Sequence, residues 1–249
     1  MTNRAAYDFT GSTVLVTGGT SGIGHATAVI FREAGAAVTV TGTKSGADDY
    51  RVDLSGMAYR QVVFADRATT AEVAQAFAEL DVLINNAGAN FPAGLDEARV
   101  DGFTASVQLN LLGPAALTLA LHRALKASRA RGGASVLMLG SMAALRAVPL
   151  VPGYGSAKAG MLALTRTLAM RWAGDGIRVN AVVPGVIDTP MTAPMNAVPE
   201  IKEQQLQHIP MGRLGTPEEI ASAIAFLCTE NASYITGSAL AVDGGYSVV

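Results

Sequence analysis

Cysteine is almost missing from this sequence. Cys228 is the only one in 249 residues, which excludes an internal disulfide and a cysteine-rich metal site, and no metal is expected. It falls in A-I-A-F-L-C, the setting of a small core residue. Charge is also scarce: 15% of residues are charged against 50% apolar. That is too little charge for a disordered chain, and enough apolar side chain for a large core. A net charge of -2 gives no reason to expect nucleic acid as a partner. The opening run M-T-N-R-A-A-Y-D-F-T-G lacks the apolar core of a secretion signal. The most apolar region is interrupted by Asn110, Gly113 and Pro114, which argues against a membrane span. Repeats, low-complexity tracts and linkers are absent. The expectation is one domain over residues 1–249, in a reducing, cytoplasmic setting.

What the chain does contain is an alternation of short β-branched runs with helical patterns. Strands are expected at Thr13–Thr17, Ala37–Thr41, Gln61–Phe64, Val82–Ile84, Ala134–Leu139, Arg178–Val183 and Ala239–Val242. Helices are expected between them, with residues 44–59 as a loop. Thr69-Thr70-Ala71-Glu72 has the spacing of a capping box, and so does Thr216-Pro217-Glu218-Glu219, with proline at the first helical position. A long Leu- and Ala-rich helix is expected from about Phe103 to Arg131, and another from Tyr154 to Trp172. Residues 191–211 read as an irregular lid. Alternation with short connections predicts an α/β fold, a doubly wound parallel sheet with helices on both faces.

Two stretches carry candidate chemistry. After the first strand comes Gly18-Gly19-Thr20-Ser21-Gly22-Ile23-Gly24, a glycine turn leading into a helix, the arrangement that sets a pyrophosphate on free N–H groups. About twenty residues on, where an acid would receive the ribose hydroxyls of NAD, the chain has Gly42-Thr43-Lys44. With no carboxylate there to repel a 2′-phosphate, and Lys44 placed to attract one, NADP(H) is favoured and NAD(H) is the second choice. The other stretch runs from Ser141 to Lys158. Tyr154 and Lys158 lie four apart on a helical pattern and so share a face. A free phenol ionises near pH ~10, and a fixed cation beside it is expected to lower that value, suiting it to proton exchange with a carbonyl or alcohol oxygen. Ser141 adds a hydroxyl. Met142, Ala144, Val148, Leu150 and Val151 suggest an apolar wall for the substrate.

Taken together, Thr17-Gly18-x-x-x-Gly22-Ile23-Gly24, Asn85-Asn86-Ala87-Gly88, Asn110, Ser141, Tyr154-x-x-x-Lys158 and Pro184-Gly185 with Thr189 resemble the short-chain dehydrogenase/reductase family over essentially the whole chain. The resemblance implies a Rossmann fold and a ketone–secondary alcohol oxidoreductase. It implies Tyr154 as general acid and base, Lys158 as its partner and ribose ligand, Ser141 on the substrate oxygen, and Asn110 holding a water on the proton path. The glycine turn from Gly18 to Gly24, Thr20 and Ile23 included, would lie along the phosphates and adenosine ribose. Asp66 would accept from the adenine, beside Arg67, where the family more often has an aliphatic residue. Asn86, Ala87 and Gly88 would border the coenzyme, and Pro184, Gly185, Ile187 and Thr189 its nicotinamide end. A small apolar carbonyl or alcohol is the expected substrate. A β-ketoacyl thioester on an acyl carrier is the alternative, and a non-catalytic nucleotide-binding regulator is a third. The two apolar helices around Leu109–Leu121 and Ala157–Met170 imply a homotetramer, or a homodimer.

Overall fold

A computed structural model describes residues 5–248; the first four residues of the N-terminal run read above lie outside them. In chain order the elements are β1 (Thr13–Val16), α1 (Gly22–Glu33), β2 (Ala37–Gly42), β3 (Ala58–Gln61), α2 (Arg67–Gln75), β4 (Val82–Asn85), α3 (Val100–Val107), α4 (Gly113–Ala120), α5 (His122–Lys126), β5 (Ala134–Leu139), α6 (Pro152–Trp172), β6 (Ile177–Pro184), α7 (Ala193–Asn196), α8 (Pro199–Gln207), α9 (Pro217–Cys228) and β7 (Ala239–Val242). All strand pairs are parallel and the order is β3-β2-β1-β4-β5-β6-β7. This is the doubly wound Rossmann arrangement expected from the alternation.

Side chains of β1 point alternately to opposite faces. Leu15 joins a core under α2, α4 and α6 with Leu83, Leu117, Leu121 and Met161. Val14 and Val16 join the opposite core with Phe31, Ile220 and Ile224, under α1 and α9. Cys228 is buried there, and burial pushes its thiol up to about 11, so it behaves as a small apolar residue. The Thr216–Glu219 capping box forms as expected, with Thr216 Oγ1 accepting from Glu219 N–H and the Glu219 carboxylate from Thr216 N–H.

The structure corrects four expectations. The third strand is Ala58–Gln61, not Gln61–Phe64. Ala58–Gln61 is a solvated edge with no apolar alternation, whereas Val62 and Phe64 turn down into the core from a loop. The Thr69 box is not used: Asp66 caps α2, its carboxylate accepting from Ala68 N–H at 2.8 Å, and Thr69 Oγ1 bonds back to Val63. The long helix is not uniform either. It widens into a π-helical turn at Gln108–Leu112 around Asn110, then breaks between Ala120 and His122. Despite those interruptions, the segment Val100–Ala120 is long and apolar enough to cross a membrane by length and composition alone. Finally, residues 191–211 are largely helical, as α7 and α8.

Candidate active site

Strand order reverses on either side of β1 and β4, and crevices form outside the carboxyl ends of strands at such a point. Here a cleft of about 620 Å³ opens there, within the usual range for small-molecule sites. Its floor is tied together by side chains. Thr17 Oγ1 accepts from the N–H groups of Asn86 and Ala87, and Asn86 Nδ2 donates to the carbonyls of Thr17 and Gly18. A side chain at Gly18 would meet Ala87 Cα at 2.9 Å. The turn after β1 can therefore approach the end of β4 only as glycine.

Gly18, Thr20, Ser21, Gly22, Ile23, Thr43, Asn86, Ala87, Gly88, Ser141, Tyr154, Lys158, Pro184, Gly185, Ile187 and Thr189 all line this cleft. Gly24, Lys44, Asp66, Arg67 and Asn110 do not. Gly24 faces inward, where a Cβ would lie 2.3 Å from Asn86 Nδ2 and from the Gly18 carbonyl. It serves helix–strand contact. Lys44 folds its ammonium onto the Asp49 carbonyl and the Tyr50 ring. Asp66 is occupied as a helix cap and Arg67 is exposed beside it. Neighbouring Ala65, with Val62, Val63 and Phe64, supplies the cleft wall instead.

Lys158 is buried, 3% exposed, and its Nζ donates to the Leu139 carbonyl at 2.7 Å. That ammonium stands 5.5 Å from the centre of the Tyr154 ring, as the spacing of four predicts. Burial lowers its pKa to about 8. The phenol departs from expectation: its pKa is raised, chiefly by burial and further by the Glu97 carboxylate, while a hydrogen bond with Ser141 pulls the other way. Ser141 Oγ accepts from Ala143 N–H at 3.1 Å, which leaves its proton for an oxygen in the cleft. Asn110 lies one layer behind. Its Oδ1 accepts from Ala89 N–H, and its Nδ2 donates to the carbonyls of Ala89 and Ser106. A side chain at Gly88 would strike Asn110 Oδ1 at 2.6 Å and come within 3.5 Å of Lys158 Nζ, so glycine there lets the two approach.

The substrate end differs from the expected wall. Met142, Ala144, Val148, Leu150 and Val151 do not line the cleft. Met142 packs instead with Val186, Ile209 and Tyr246, Ala144 against the core under α6, Val151 is buried, Val148 is half-buried at a turn, and Leu150 is 76% exposed. Ala89, Pro92, Ala93, Met191 and Thr192 take their place. The sequence signal for the first three was the run A-N-F-P-A-G, whose turn residues mark a loop without showing which way it faces. Among the described lining residues, Lys158 alone carries a charge.

Comparison with known proteins gives the same picture. A family model described as Enoyl-(Acyl carrier protein) reductase matches residues 18–247. A cis-4-hydroxycyclohexanecarboxylate dehydrogenase of Sinomonas cyclohexanicum is 38% identical over 244 residues, covering 94% of this chain and 96% of that one. The 3-oxoacyl-[acyl-carrier-protein] reductase FabG of Chlamydia trachomatis is 37% identical over 243 residues, 94% of this chain and 96% of its own. Among solved structures, the Pseudomonas aeruginosa RhlG/NADP active-site complex superposes with a TM-score of 0.86 at 31% identity, over 98% of this chain and 100% of that one. The chain belongs to the short-chain dehydrogenase/reductase family, whose NAD(P)(H)-dependent oxidoreductases interconvert carbonyl and alcohol groups.

Proposed function

We propose that this chain interconverts a small, apolar ketone and its secondary alcohol, with Tyr154 as the proton donor and acceptor and NADP(H) preferred. The observation that carries this reading is the convergence of Ser141, Tyr154 and Lys158 on one wall of a cleft that starts at the amino end of α1. The residues present fit a dinucleotide. Ser21 caps α1 without using its side chain, and the first turn holds no acid, so its N–H groups and positive end are available to phosphate oxygens. The glycine turn leaves the backbone uncovered, and no lining carboxylate opposes an anion. When bound, the nicotinamide coenzyme supplies or accepts the hydride.

The protein's own share is alignment and proton movement. Tyr154 gives its proton to the substrate oxygen in reduction and takes it back in oxidation. Ser141 donates to the same oxygen, holding the carbonyl towards the coenzyme's place. Lys158 presents a buried cation beside the phenol and to a ribose hydroxyl. Asn110 fixes the wall at Ala89 behind them. An apolar substrate is supported by Ala89, Pro92, Ala93 and Met191 at that end of the cleft. The β-ketoacyl thioester stays as a second reading because of the reductase relative.

Assembly into a homotetramer, or a dimer, is part of this proposal. On α6 the exposed positions Ser156, Ala159, Ala163, Thr167 and Met170 form one face of small and apolar residues bordered by exposed Arg166, and Leu112 and Leu119 are exposed near the ends of α4. A contiguous face of this kind marks an association surface. The test is an initial-rate panel of cyclic and linear ketones, their alcohols and a β-ketoacyl pantetheine thioester, each with both coenzymes. Turnover restricted to the thioester would move the assignment to the second reading, and turnover of nothing in the panel would sink both.

A further inference from the structure

Helix α6, which carries Tyr154 and Lys158, begins without a cap of its own. Its N-cap is Val151, Pro152 takes the first position, and the first turn contains no acid. The N–H groups of a first turn have no partner within the helix. That of Tyr154 is taken by a residue 57 positions earlier, with Glu97 Oε2 accepting at 2.7 Å. The other oxygen, Oε1, accepts from Phe91 N–H at 2.9 Å. Glu97 is completely buried, 0% exposed. Among the described residues no cation forms an ion pair with it. A buried carboxylate so placed depends on main-chain donors and on the positive end of a helix for its stabilisation.

Both ends of this bridge matter to the cleft. Phe91 and Ala93 hold left-handed backbone angles, φ 47° and 56°, which cost non-glycine residues on the order of 1 kcal/mol or more and persist only where the surroundings hold them. Pro92 and Ala93, within that turn, line the cleft. At the other end the packing leaves no slack. A Cβ at Gly153 would stand 2.9 Å from Ser106 Cβ and 3.1 Å from Glu97 Oε2.

We infer that Glu97 is a positioning residue of this site. One carboxylate fastens the strained wall of the substrate end to the first turn of the helix that aims the phenol, and its charge faces that phenol. The inference rests on Tyr154 being the acid and base. The groups that face the phenol are Lys158 from α6 itself, the Ser141 hydroxyl from the turn after β5, and Glu97 from the segment before α3. The Glu97 charge opposes the phenolate. Removing the Glu97 charge therefore makes the phenol more acidic. Reduction needs the protonated phenol, so its alkaline limb moves to lower pH.

The test compares Glu97→Gln and Glu97→Asp in the full-length protein. Ultraviolet titration of tyrosinate, taken as the difference from the same protein with Tyr154→Phe, isolates this one phenol and needs no turnover. Glu97→Gln is expected to lower its midpoint by several tenths of a unit or more, with the alkaline limb of kcat/KM following. Displacing the phenol should cut kcat roughly tenfold, with coenzyme KM changed less than twofold. Glu97→Asp keeps the charge but is one methylene too short to span both N–H groups, so kcat falls while the midpoint stays. An unmoved midpoint in Glu97→Gln, or wild-type kcat in Glu97→Asp, overturns the proposal. Should Glu97→Gln not fold, the Glu97→Asp kcat decides. A wild-type protein without carbonyl or alcohol turnover defeats the functional reading, and the titration still decides the placement of Glu97.

Discussion

Asn110 and Ala89 hold each other by both ends of the amide. Asn110 Oδ1 accepts from Ala89 N–H at 3.1 Å, and Nδ2 donates to the Ala89 carbonyl at 2.9 Å. The π-helical turn at Gln108–Leu112 places this side chain, and such turns often occur at functional sites. Asn110→Ala would leave the half-buried Ala89 N–H and carbonyl unpaired. A stability loss of about 2–3 kcal/mol is expected in urea unfolding, with kcat falling as the wall loosens. Unchanged stability and unchanged kcat together would show that Ala89 finds other partners.

Tyr154→Phe removes the phenolic proton and little else, since the ring remains beside Lys158. Turnover should fall by about 10²–10⁴, the usual cost of losing acid–base catalysis. Coenzyme affinity, measured by fluorescence titration, should barely change. Near-normal turnover would remove Tyr154 from the mechanism.

Burial lowers Lys158 to about 8 from its ordinary 10.5. Between these two values the unfolded chain binds more protons than the folded one, so this residue makes stability rise with pH. Below pH 8 it is charged in both states and its desolvation cost is present in full, on the order of 3 kcal/mol. Lys158→Met removes that cost but leaves the Leu139 carbonyl without its donor, an opposing loss of about 1–2 kcal/mol. The stability difference between Lys158→Met and wild type should thus favour the variant most at pH 7 and shrink steadily towards pH 10. A difference constant over that range would mean that the ammonium is solvated.

The choice of coenzyme depends on the turn after β2. Thr43 lines the cleft and no acid stands beside it, while Lys44 is turned onto Asp49 and Tyr50. NADPH should therefore exceed NADH in kcat/KM through the absence of repulsion more than through the lysine. Thr43→Asp should erase or reverse that ratio by placing a carboxylate against the 2′-phosphate. A wild-type preference for NADH would contradict this account of the turn.

On α6, Ala159 is exposed and Met161 is buried in the core. Met170, 89% exposed, continues the Ala159 face. Two-fold pairing would set that face against its own copy, so Ala159→Glu should split the assembly without unfolding the chain. Light scattering at micromolar concentration reads both states. A monomeric wild type would rule the interface out.

The amino-acid sequence by itself determined the parallel sheet, because strand, helix and turn signals are local and repeat in one alternating order. It also determined the Thr216 cap and the Tyr154–Lys158 pair, since three- and four-residue spacings on a helix need nothing from elsewhere in the chain. Only the tertiary structure decided where apolar residues went when pattern and place disagreed. Val62–Phe64 looked like a strand and became a loop sunk into the core, while the polar Ala58–Gln61 took the sheet edge. Val148 and Leu150 lay near Tyr154 in sequence and outside its cleft, which Pro92 and Ala93 wall from a loop some sixty residues earlier. The same holds for Glu97. Read in D-E-A-R it is one more charge, and its role arises because folding buries it between Phe91 and Tyr154, where it accepts from two main-chain donors.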